Sequence, residues 1–529
     1  MIPSLDEARV RATETLDQDE LLLRRLGYKQ ELRRTFTPLE LFGVGFSIIG
    51  LFPSIASVLV YAIPNGGPSA MVWGWAVCVI GLLSISLSIA ELGSAAPTSG
   101  GLYYWTHTFA SPRYKNVLAW VVGYSNSVGN IASVASVAWG FSLQLTAAIS
   151  IASNFSFVAT TAQTYGIFIA ALVVYGITCS VAVKYIARLQ PLYIVLNVLL
   201  CLAIIIALPI ATPNEFKNSG RYVFGHFENF SGWPDGFAFI LSFLAPLWAV
   251  GAFDASVHIS EEATNASVAV PWALMSATSI ASVLGWGIVI SIAFNMGTDL
   301  QAILNSEIGQ PMAVILFNSF GRSGTLAVWI VVVIVQFIMG MDMLTVCSRQ
   351  IFAFSRDGAL PCSRILRRVD VRTRVPIRAV WFSVLVSALL GLLAFAGANA
   401  IGTIFSLVVA GQYVAYAIPI STRFLGKNNF KHGPFSLGRM SGPVATFAVL
   451  FMAFVLVVFF FPSSPGPMAA NMNYTVVVLG GTLSLALSYF YFPKYGGTHW
   501  FHGPATTINA DEETGGESQS ASDKKIQTE

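Results

Sequence analysis

Charged residues are scarce in this chain of 529 residues: Asp, Glu, Lys and Arg together make up 10% of it, against about a quarter of ordinary soluble domains. This scarcity excludes a typical soluble protein, and a formal net charge of +3 is too small to indicate binding to nucleic acid. Apolar residues make up 55% of the chain, and they occur in repeated runs of about 20, long enough to cross a bilayer. The sequence therefore predicts an all-α protein that spans a membrane many times.

Cysteine is also scarce. The five residues lie in predicted spans or beside them, without the spacing of a metal site: Cys78, Cys179, Cys201, Cys347 and Cys362. A disulfide framework and a metal centre are therefore not expected. The sequence also lacks a nucleotide-binding loop and a nucleophile-and-base motif, so we expect neither enzymatic activity nor a cofactor. No separate signal peptide is predicted, since the first residues alternate acids and bases.

Apolar runs between polar breaks predict twelve spans. They lie near 38–63, 70–93, 117–149, 165–186, 190–211, 236–260, 272–296, 325–354, 378–397, 400–423, 443–463 and 473–493. This pattern divides the chain into an N-terminal tail (1–37), a twelve-helix membrane domain (38–493) and a C-terminal tail (494–529). We expect the C-terminal tail to be disordered, because residues 504–529 are polar and poor in aromatics.

The distribution of basic residues predicts the orientation. All Lys and Arg residues except Lys217, Arg221 and Arg322 lie in the tails or in the even-numbered connections. Because cytoplasmic connections of membrane proteins are enriched in Lys and Arg, both termini are predicted to be cytoplasmic. Three glycosylation sequons fall in connections on the opposite side, at Asn154, Asn229 and Asn473.

Two predicted spans carry helix-breaking residues near their middle. The first contains Gly50 and Pro53 in FSIIGLFPSIAS, and the sixth contains Pro246 and Gly251 in APLWAVGAFDAS. A break frees backbone polar groups, which a bilayer tolerates only where they line a cavity or bind a ligand. Either break alone could be a simple proline kink. Two breaks in corresponding positions indicate instead an inverted-repeat transporter with its site between them.

The sequence resembles fungal members of the amino acid–polyamine–organocation superfamily, and in particular the permeases for GABA, choline and polyamines. The resemblance extends from Phe36 to Pro493 and rests on five motifs: FSIIGLFPSIAS, GGPSAMVWGW, ELGSAAPTSGGLYYWTH, GAFDASVHISEEATNA and SRQIFAFSRDGALP. It implies a LeuT-type repeat of five plus five helices, in which helices 1 and 6 are discontinuous and the last two helices lie outside the repeat.

The resemblance implies import of a small amine-bearing solute. We expect the solute to be GABA or a related amino acid, transported by alternating access and driven by protons. The surrounding partner is the lipid bilayer, and we expect the plasma membrane rather than the vacuole as the location. Two alternatives stay open: a choline or polyamine permease of the same family, and a nutrient sensor that binds its ligand without transporting it.

Half-helix ends predict the substrate-binding residues. Amide groups after a break suit a carboxylate, and carbonyl groups before a break suit an ammonium. The backbone residues expected to bind are Ile49, Gly50, Leu51, Ser54, Ala249, Val250 and Gly251. Trp248 and Phe253 flank the second break, where aromatic residues of similar transporters cover the substrate as a thin gate. The resemblance implies this role for both, and plain packing is the alternative. Asp254 is expected to act as counter-ion of the amine or as a hydrogen-bonding group at the start of the next half-helix.

A second set of residues is expected to serve coupling or gating. Asp342 is a candidate for proton or amine binding, unless a neighbouring helix satisfies it. The resemblance places Asn197 where some proton-coupled relatives carry a lysine, and Asn197 cannot titrate. The carboxyl groups available for a proton are therefore Asp254, Asp342 and Glu91. Charged residues near the predicted cytoplasmic ends are expected to pair when the inner gate closes, or else to form a solvated cluster: Glu91, Glu261, Glu262, Arg349, Arg356 and Asp357.

Overall fold

The computed structural model describes residues 18–251, 254–466, 468 and 472–506. Within this part of the chain, ten helical spans are long and apolar enough to cross a membrane. Two shorter apolar stretches, Asp235–Ala249 and Val476–Phe490, stand where the sixth and twelfth spans are predicted. The prediction of an all-α protein with twelve membrane spans is confirmed. All five cysteines carry free thiols.

The described helices, in chain order, are α1 (Pro38–Ile49), α2 (Leu51–Ala62), α3 (Gly67–Ala95), α4 (Gly101–Phe109), α5 (Lys115–Ala152), α6 (Thr161–Val181), α7 (Val183–Ala211), α8 (Gly220–Gly225), α9 (Asp235–Leu241), α10 (Leu244–Ala249), α11 (Ala255–His258), α12 (Ala266–Asn295), α13 (Leu300–Leu304), α14 (Pro311–Arg356), α15 (Ser363–Leu366), α16 (Ile377–Gly391), α17 (Ala398–Leu425), α18 (Ser441–Val458) and α19 (Gly481–Phe490). A short π-helix, Val476–Gly480, leads into α19. The two-residue strands β1 (Asn65–Gly66) and β2 (Glu228–Asn229) pair antiparallel, with Asn65 opposite Asn229.

Local sequence explains where several spans begin and bend. Thr37 caps α1 and Thr160 caps α6, each in a capping box with the acidic or amide residue three positions later, which satisfies amides that a helix start leaves unpaired. The eighth span begins earlier than the predicted residue 325, because α14 continues across a kink at Gly321, where φ is 65°. Polar residues around the kink hide this extension from a hydropathy pattern.

Four of the first five spans pack against their counterparts five positions later in the chain. The first span, α1 and α2, packs against α11 and α10 of the sixth. The second and seventh (α3, α12), the third and eighth (α5, α14), and the fourth and ninth (α6, α16) form further pairs. This pairing is what two five-helix repeats predict. The first span is central, with 94% of its apolar window buried, whereas the fifth span (α7) is 28% buried and faces outward.

Both terminal segments pack on the same end of the helix bundle. The Tyr28 hydroxyl and the Ala505 amide both donate to Asp357, which follows α14. Phe36 forms a bridge with Ala263, just before α12. We call this end of the bundle, with residues 18–36 and 494–506, the tail face, and the opposite end the vestibule face. The predicted tail residues 1–17 and 507–529 lie outside the described residues.

Candidate functional site

The first span breaks at a single residue. Gly50 has φ of 44° and ψ of 56°, a left-handed conformation that glycine adopts most readily. A Cβ at this position would lie 2.8 Å from Met339 Sδ. Ser54 closes the break: its amide donates to the Gly50 carbonyl at 2.8 Å and its hydroxyl donates to the Ile49 carbonyl at 2.6 Å. No described residue accepts a hydrogen bond from the Leu51 amide at the start of α2, so this donor is available to a ligand.

The sixth span opens more widely. α10 ends at Ala249, and the Gly251 amide still donates to the Trp248 carbonyl at 3.1 Å. The carbonyls of Ala249 and Val250 accept no hydrogen bond from the described part of the chain. The predicted gate residue Phe253 lies outside the described residues. Free carbonyl groups at the end of a half-helix carry partial negative charge, which suits a cation.

The two breaks lie side by side. α10 packs against α2, and α11 packs against α1, so the half-helices of the two spans run antiparallel. The positive N-terminal end of α2 therefore meets the negative C-terminal end of α10 at one level of the bundle. Opposite partial charges at one place suit a small solute that carries both a carboxylate and an ammonium.

Buried amide side chains add polar groups beside the first break. The Gln144 amide nitrogen donates to the Pro53 carbonyl at 3.0 Å and to the Ser57 hydroxyl at 3.1 Å. The side-chain oxygens of Gln144 and Gln336 are buried and have no partner among the described residues. Gly140 leaves room between them, because a Cβ there would lie 2.7 Å from the Ser57 hydroxyl. The sequence pattern did not single out Gln144 and Gln336, although a lone amide in an apolar span is a usable signal.

Aromatic rings lie between the breaks and the vestibule face. The Trp248 indole donates to the Ser136 hydroxyl at 3.2 Å, and its ring centroid lies 4.9 Å from that of Phe405. Phe405 in turn packs on Tyr61 at 5.3 Å. Trp248, beside the second break, thus belongs to an aromatic layer that also contains Tyr61 and Phe405.

A cavity of about 610 Å³ opens at the vestibule face and reaches the aromatic layer. Its wall includes Ser57, Tyr61, Trp139, Gln310 and Asn399. The described lining contains no charged side chain. A neutral, polar cavity of this size admits a small solute without selecting for a net charge.

Asp254 stands at the start of α11 and is buried. Its Oδ1 accepts a hydrogen bond from the Tyr416 hydroxyl at 2.6 Å, and its Oδ2 lies 3.2 Å from His258 Nε2. Protein groups therefore occupy both carboxyl oxygens. This arrangement agrees with the expected hydrogen-bonding role more closely than with a counter-ion left open for an amine.

Asp342 lies midway along α14 and is buried. Its Oδ1 accepts a hydrogen bond from the Gln190 amide at 2.9 Å, and its Oδ2 has no partner in the described chain. The structure does not bring Asn197 into this contact: its amide nitrogen donates to the Tyr193 carbonyl of its own helix at 3.2 Å. The fifth span therefore contacts Asp342 through Gln190, a residue that no sequence motif indicated.

Buried ion pairs close the tail face. Arg349 Nε donates to Glu262 at 2.6 Å, and Arg356 makes two contacts of 3.0 Å with Glu261. Both pairs join α14 to the segment that follows α11. The Glu262 carbonyl also accepts hydrogen bonds from the amides of Thr35 and its neighbour. The structure thus brings together four of the residues expected to gate.

Glu91 belongs to a separate cluster on the tail face. It pairs with Arg423 of α17 at 2.6 Å and accepts hydrogen bonds from the Ser441 hydroxyl at 2.6 Å and the Leu437 amide at 2.8 Å. The Arg423 guanidinium also lies 4.0 Å from the ring centroid of Phe430. Glu91 therefore ties the second span to the tenth and eleventh, an arrangement the sequence did not indicate.

Asp357 is buried where the two terminal segments meet. Its carboxylate accepts hydrogen bonds from the hydroxyls of Tyr103 at 2.6 Å and Tyr28 at 3.2 Å, and from the Ala505 amide at 3.1 Å. Burial raises the pKa of Asp357 to about 6, although the neighbouring Arg356 and these hydrogen bonds act in the opposite direction. Burial also raises the pKa of both tyrosines, so they remain donors.

The three sequon asparagines lie on the vestibule face, at the end of α5, on β2 and after α18. Two of their amide nitrogens donate within the protein: Asn229 to the Trp233 carbonyl at 2.6 Å and Asn473 to the Phe459 carbonyl at 2.7 Å. Among the described residues, no group of three or more His, Cys, Asp or Glu side chains is placed to hold a metal ion.

Comparisons with known proteins place this architecture in a family. The family model described as "Amino acid permease" matches residues 36–482. The chain belongs to the amino acid permease family. It is 39% identical over 504 residues to the GABA-specific permease of Saccharomyces cerevisiae, an alignment that covers 94% of this chain and 87% of the relative.

Two other relatives align over comparable lengths. An uncharacterised amino-acid permease of Schizosaccharomyces pombe is 37% identical, with 96% of this chain and 92% of the relative covered. Amino-acid permease 2 of Neurospora crassa is 32% identical, with 95% and 93% covered. The predicted resemblance to fungal permeases of the superfamily is confirmed, and the protein is an integral, multi-pass membrane protein of a permease family.

Proposed function

We propose that this permease imports GABA or a closely related small amino acid, together with protons, across the plasma membrane by alternating access. The tail face is then cytoplasmic and the vestibule face is extracellular. In this proposed orientation, the open vestibule and the ion pairs that close the tail face support a state that receives solute from outside.

One observation carries the substrate assignment: α10 packs against α2, and α11 packs against α1. This packing places the N-terminal end of α2 and the C-terminal end of α10 at one level. The free Leu51 amide suits the carboxylate of an amino acid. The free carbonyls of Ala249 and Val250, with the side-chain oxygens of Gln144 and Gln336, suit its ammonium group. The printed name of the yeast relative supports GABA within this class.

Choline and polyamines fit this arrangement less well. Neither carries a carboxylate to bind the N-terminal end of α2, and a second positive charge requires a second anion. Asp254, the carboxylate nearest in sequence to the second break, already contacts Tyr416 and His258 through its two oxygens. The geometry therefore favours a zwitterion over an organic cation.

The proposed orientation rests on charge. The basic residues concentrate in the tails and in connections on the tail face, and cytoplasmic connections carry this excess in membrane proteins. The uncharged lining of the vestibule and the three sequons lie at the other end. Proton coupling is proposed because two buried carboxyl groups that could carry a proton, those of Asp254 and Asp342, lie in the two spans that flank the site.

Labelled GABA uptake into cells that lack their own permeases tests the proposal, at about pH 5 and about pH 7.5, which bracket the titration range of most carboxyl and imidazole groups. We expect saturable uptake that is faster at the lower pH and is inhibited by other small amino acids, with choline and putrescine inhibiting weakly. Surface labelling controls for delivery to the plasma membrane.

The same experiment separates the alternatives. Uptake of choline or putrescine without GABA would replace the proposed substrate. GABA uptake that is indifferent to pH would refute proton coupling. Binding of GABA without uptake, by protein shown to be at the surface, would identify a sensor.

A further inference from the structure

The side chain of His258 contacts both Asn126 and Asp254 through its Nε2, and these two groups favour different protonation states of that nitrogen. Its Nδ1 lies 3.0 Å from the Ser99 carbonyl. Because a carbonyl oxygen only accepts hydrogen bonds, Nδ1 carries a hydrogen. The protonation of the imidazole is therefore decided at Nε2.

The hydrogen-bond network fixes the orientation of the neighbouring Asn126. The Asn130 side-chain nitrogen contacts both the Asn126 backbone carbonyl at 3.0 Å and the Asn126 side-chain oxygen at 2.8 Å. The backbone carbonyl can only accept, so the Asn130 atom is its amide nitrogen and the Asn126 side-chain atom facing it is an oxygen. The remaining Asn126 atom, 3.1 Å from His258 Nε2, is therefore an amide nitrogen and a donor.

The same Nε2 lies 3.2 Å from Asp254 Oδ2. A neutral imidazole accepts the hydrogen bond of Asn126 but turns a lone pair toward the carboxylate. A proton between Nε2 and Oδ2 forms a hydrogen bond that joins His258 to Asp254. Nε2 then cannot accept the hydrogen bond of the Asn126 amide, whose hydrogen faces it unfavourably. Both side chains of the pair are at most 1% exposed, so water does not relieve either conflict. One proton thus selects between two arrangements.

Among the described residues, no Lys or Arg side chain forms an ion pair with Asp254, which pairs with His258 alone. Tyr416 of α17 is the titratable neighbour that contacts the pair, through a hydrogen bond of 2.6 Å to Asp254 Oδ1. Glu261 and Glu262, which follow α11, form ion pairs with Arg356 and Arg349 of α14. Asp342 of α14 accepts a hydrogen bond from Gln190 through one of its two carboxyl oxygens. A buried carboxylate without a fixed counter-ion is costly, and a shared proton removes this cost.

We propose that the proton transported with the substrate binds between His258 Nε2 and Asp254 Oδ2, beside the break of the sixth span. This inference rests on the proton coupling proposed above and assigns its site. When the proton is lost, Nε2 accepts the hydrogen bond of the Asn126 amide on α5. Asp254 is then a buried carboxylate without a proton, which destabilises the arrangement that is closed at the tail face. Proton release thereby becomes linked to movement of α11.

Purified protein in liposomes tests the assignment by separating exchange from accumulation. Exchange of labelled for unlabelled GABA is measured at equal pH on both sides, and accumulation is measured under an inward pH gradient of one unit, worth about tenfold for one proton per solute. An internal pH dye records the proton flux. We expect His258→Gln to retain exchange but to lose accumulation and proton flux, and Asp254→Asn to lose accumulation and proton flux as well. The matched control His226→Gln, a half-exposed histidine outside the site, should retain exchange, accumulation and proton flux.

Each other outcome overturns a definite claim. Tenfold accumulation with normal proton flux in His258→Gln would refute the assignment while leaving proton coupling intact. Wild-type exchange without proton flux would refute the proton coupling and the assignment together.

A second measurement does not depend on the substrate. Infrared difference spectra recorded as the pH is lowered report protonation of carboxyl and imidazole groups. We expect a signal from the wild type that disappears in both Asp254→Asn and His258→Gln. In Asn126→Ala, which removes the amide that donates to Nε2, the same signal should change its band position. Spectra that are identical in all four proteins would refute the assignment.

Discussion

Gly50 shows how much of the site depends on one residue. Its left-handed backbone ends α1 and starts α2 without an unwound segment. The sequence predicted the break, because glycine and proline near the middle of a span have few other uses. It did not predict that Ser54 would bond the freed Ile49 carbonyl, since that contact depends on how sharply the chain turns.

Replacement of Gly50 by alanine is expected to reduce GABA uptake by about tenfold or more, because a non-glycine residue in this conformation costs about 1–3 kcal/mol and its Cβ would lie 2.8 Å from Met339 Sδ. Uptake per molecule at the cell surface measures the effect. Gly166→Ala is the matched control, since a Cβ there meets nothing within 4 Å. Equal uptake by the two variants would show that the break does not position the substrate.

Asp357 gives a pH dependence that is distinct from transport. Burial raises its pKa from the ordinary 3.8 to about 6, so its protonated form favours the folded state. The stabilisation is complete below about pH 4 and is lost as the pH rises through about 6, by at most about 3 kcal/mol.

The melting temperature of the wild type in detergent should therefore fall, relative to that of Asp357→Asn, between about pH 5 and about pH 7.5. Asp370→Asn is the control, because local hydrogen bonds lower the pKa of this exposed carboxyl and it stays ionised across that range. Parallel melting curves for the wild type and Asp357→Asn would contradict the raised pKa.

At the scale of elements, the sequence predicts helices better than it predicts their contacts. Hydropathy gave the twelve spans, and paired interruptions gave the two discontinuous helices. The partner of Glu91 could not be predicted, because Arg423 is 332 positions away and several basic residues follow the same span. Gln190 was likewise missed beside Asp342, since the choice between Gln190 and Asn197 depends on the rotation of α7.

The ion pair between α14 and the segment after α11 should behave as a unit. Arg356→Gln leaves buried Glu261 unpaired and is expected to destabilise the protein by about 3–5 kcal/mol, whereas removing both charges should cost much less than the sum of the single changes. Melting temperatures of Arg356→Gln, Glu261→Gln and the double variant measure the coupling. The exposed Arg24–Glu20 pair, changed in the same way, should show almost none. Additive effects of the two single changes would show that Arg356 and Glu261 do not stabilise the protein as a coupled pair.

At the scale of the whole molecule, the bundle is open at the vestibule face and closed by ion pairs at the tail face. The cavity of about 610 Å³ reaches Ser57 from the vestibule face. At the tail face, the pairs of Arg349, Arg356 and Arg423 are buried, and residues 18–36 pack over two of them. A solute can thus approach the breaks from one side only. Transport requires a second arrangement in which α1 and α11 separate from α14 and the vestibule closes.

Thiol accessibility tests this alternation. In a Cys362→Ser background, which removes the exposed native thiol, we expect a cysteine at Val60, exposed in the vestibule wall, to react with an impermeant maleimide added from outside. Ser47→Cys places the thiol at a buried position in α1, where the maleimide should react only from inside. This reaction should become faster once GABA drives the transporter through its cycle, while the reaction of Val60→Cys in the vestibule slows. If GABA changes neither rate, or if the Ser47 position reacts from outside, the vestibule does not lead to an alternating site.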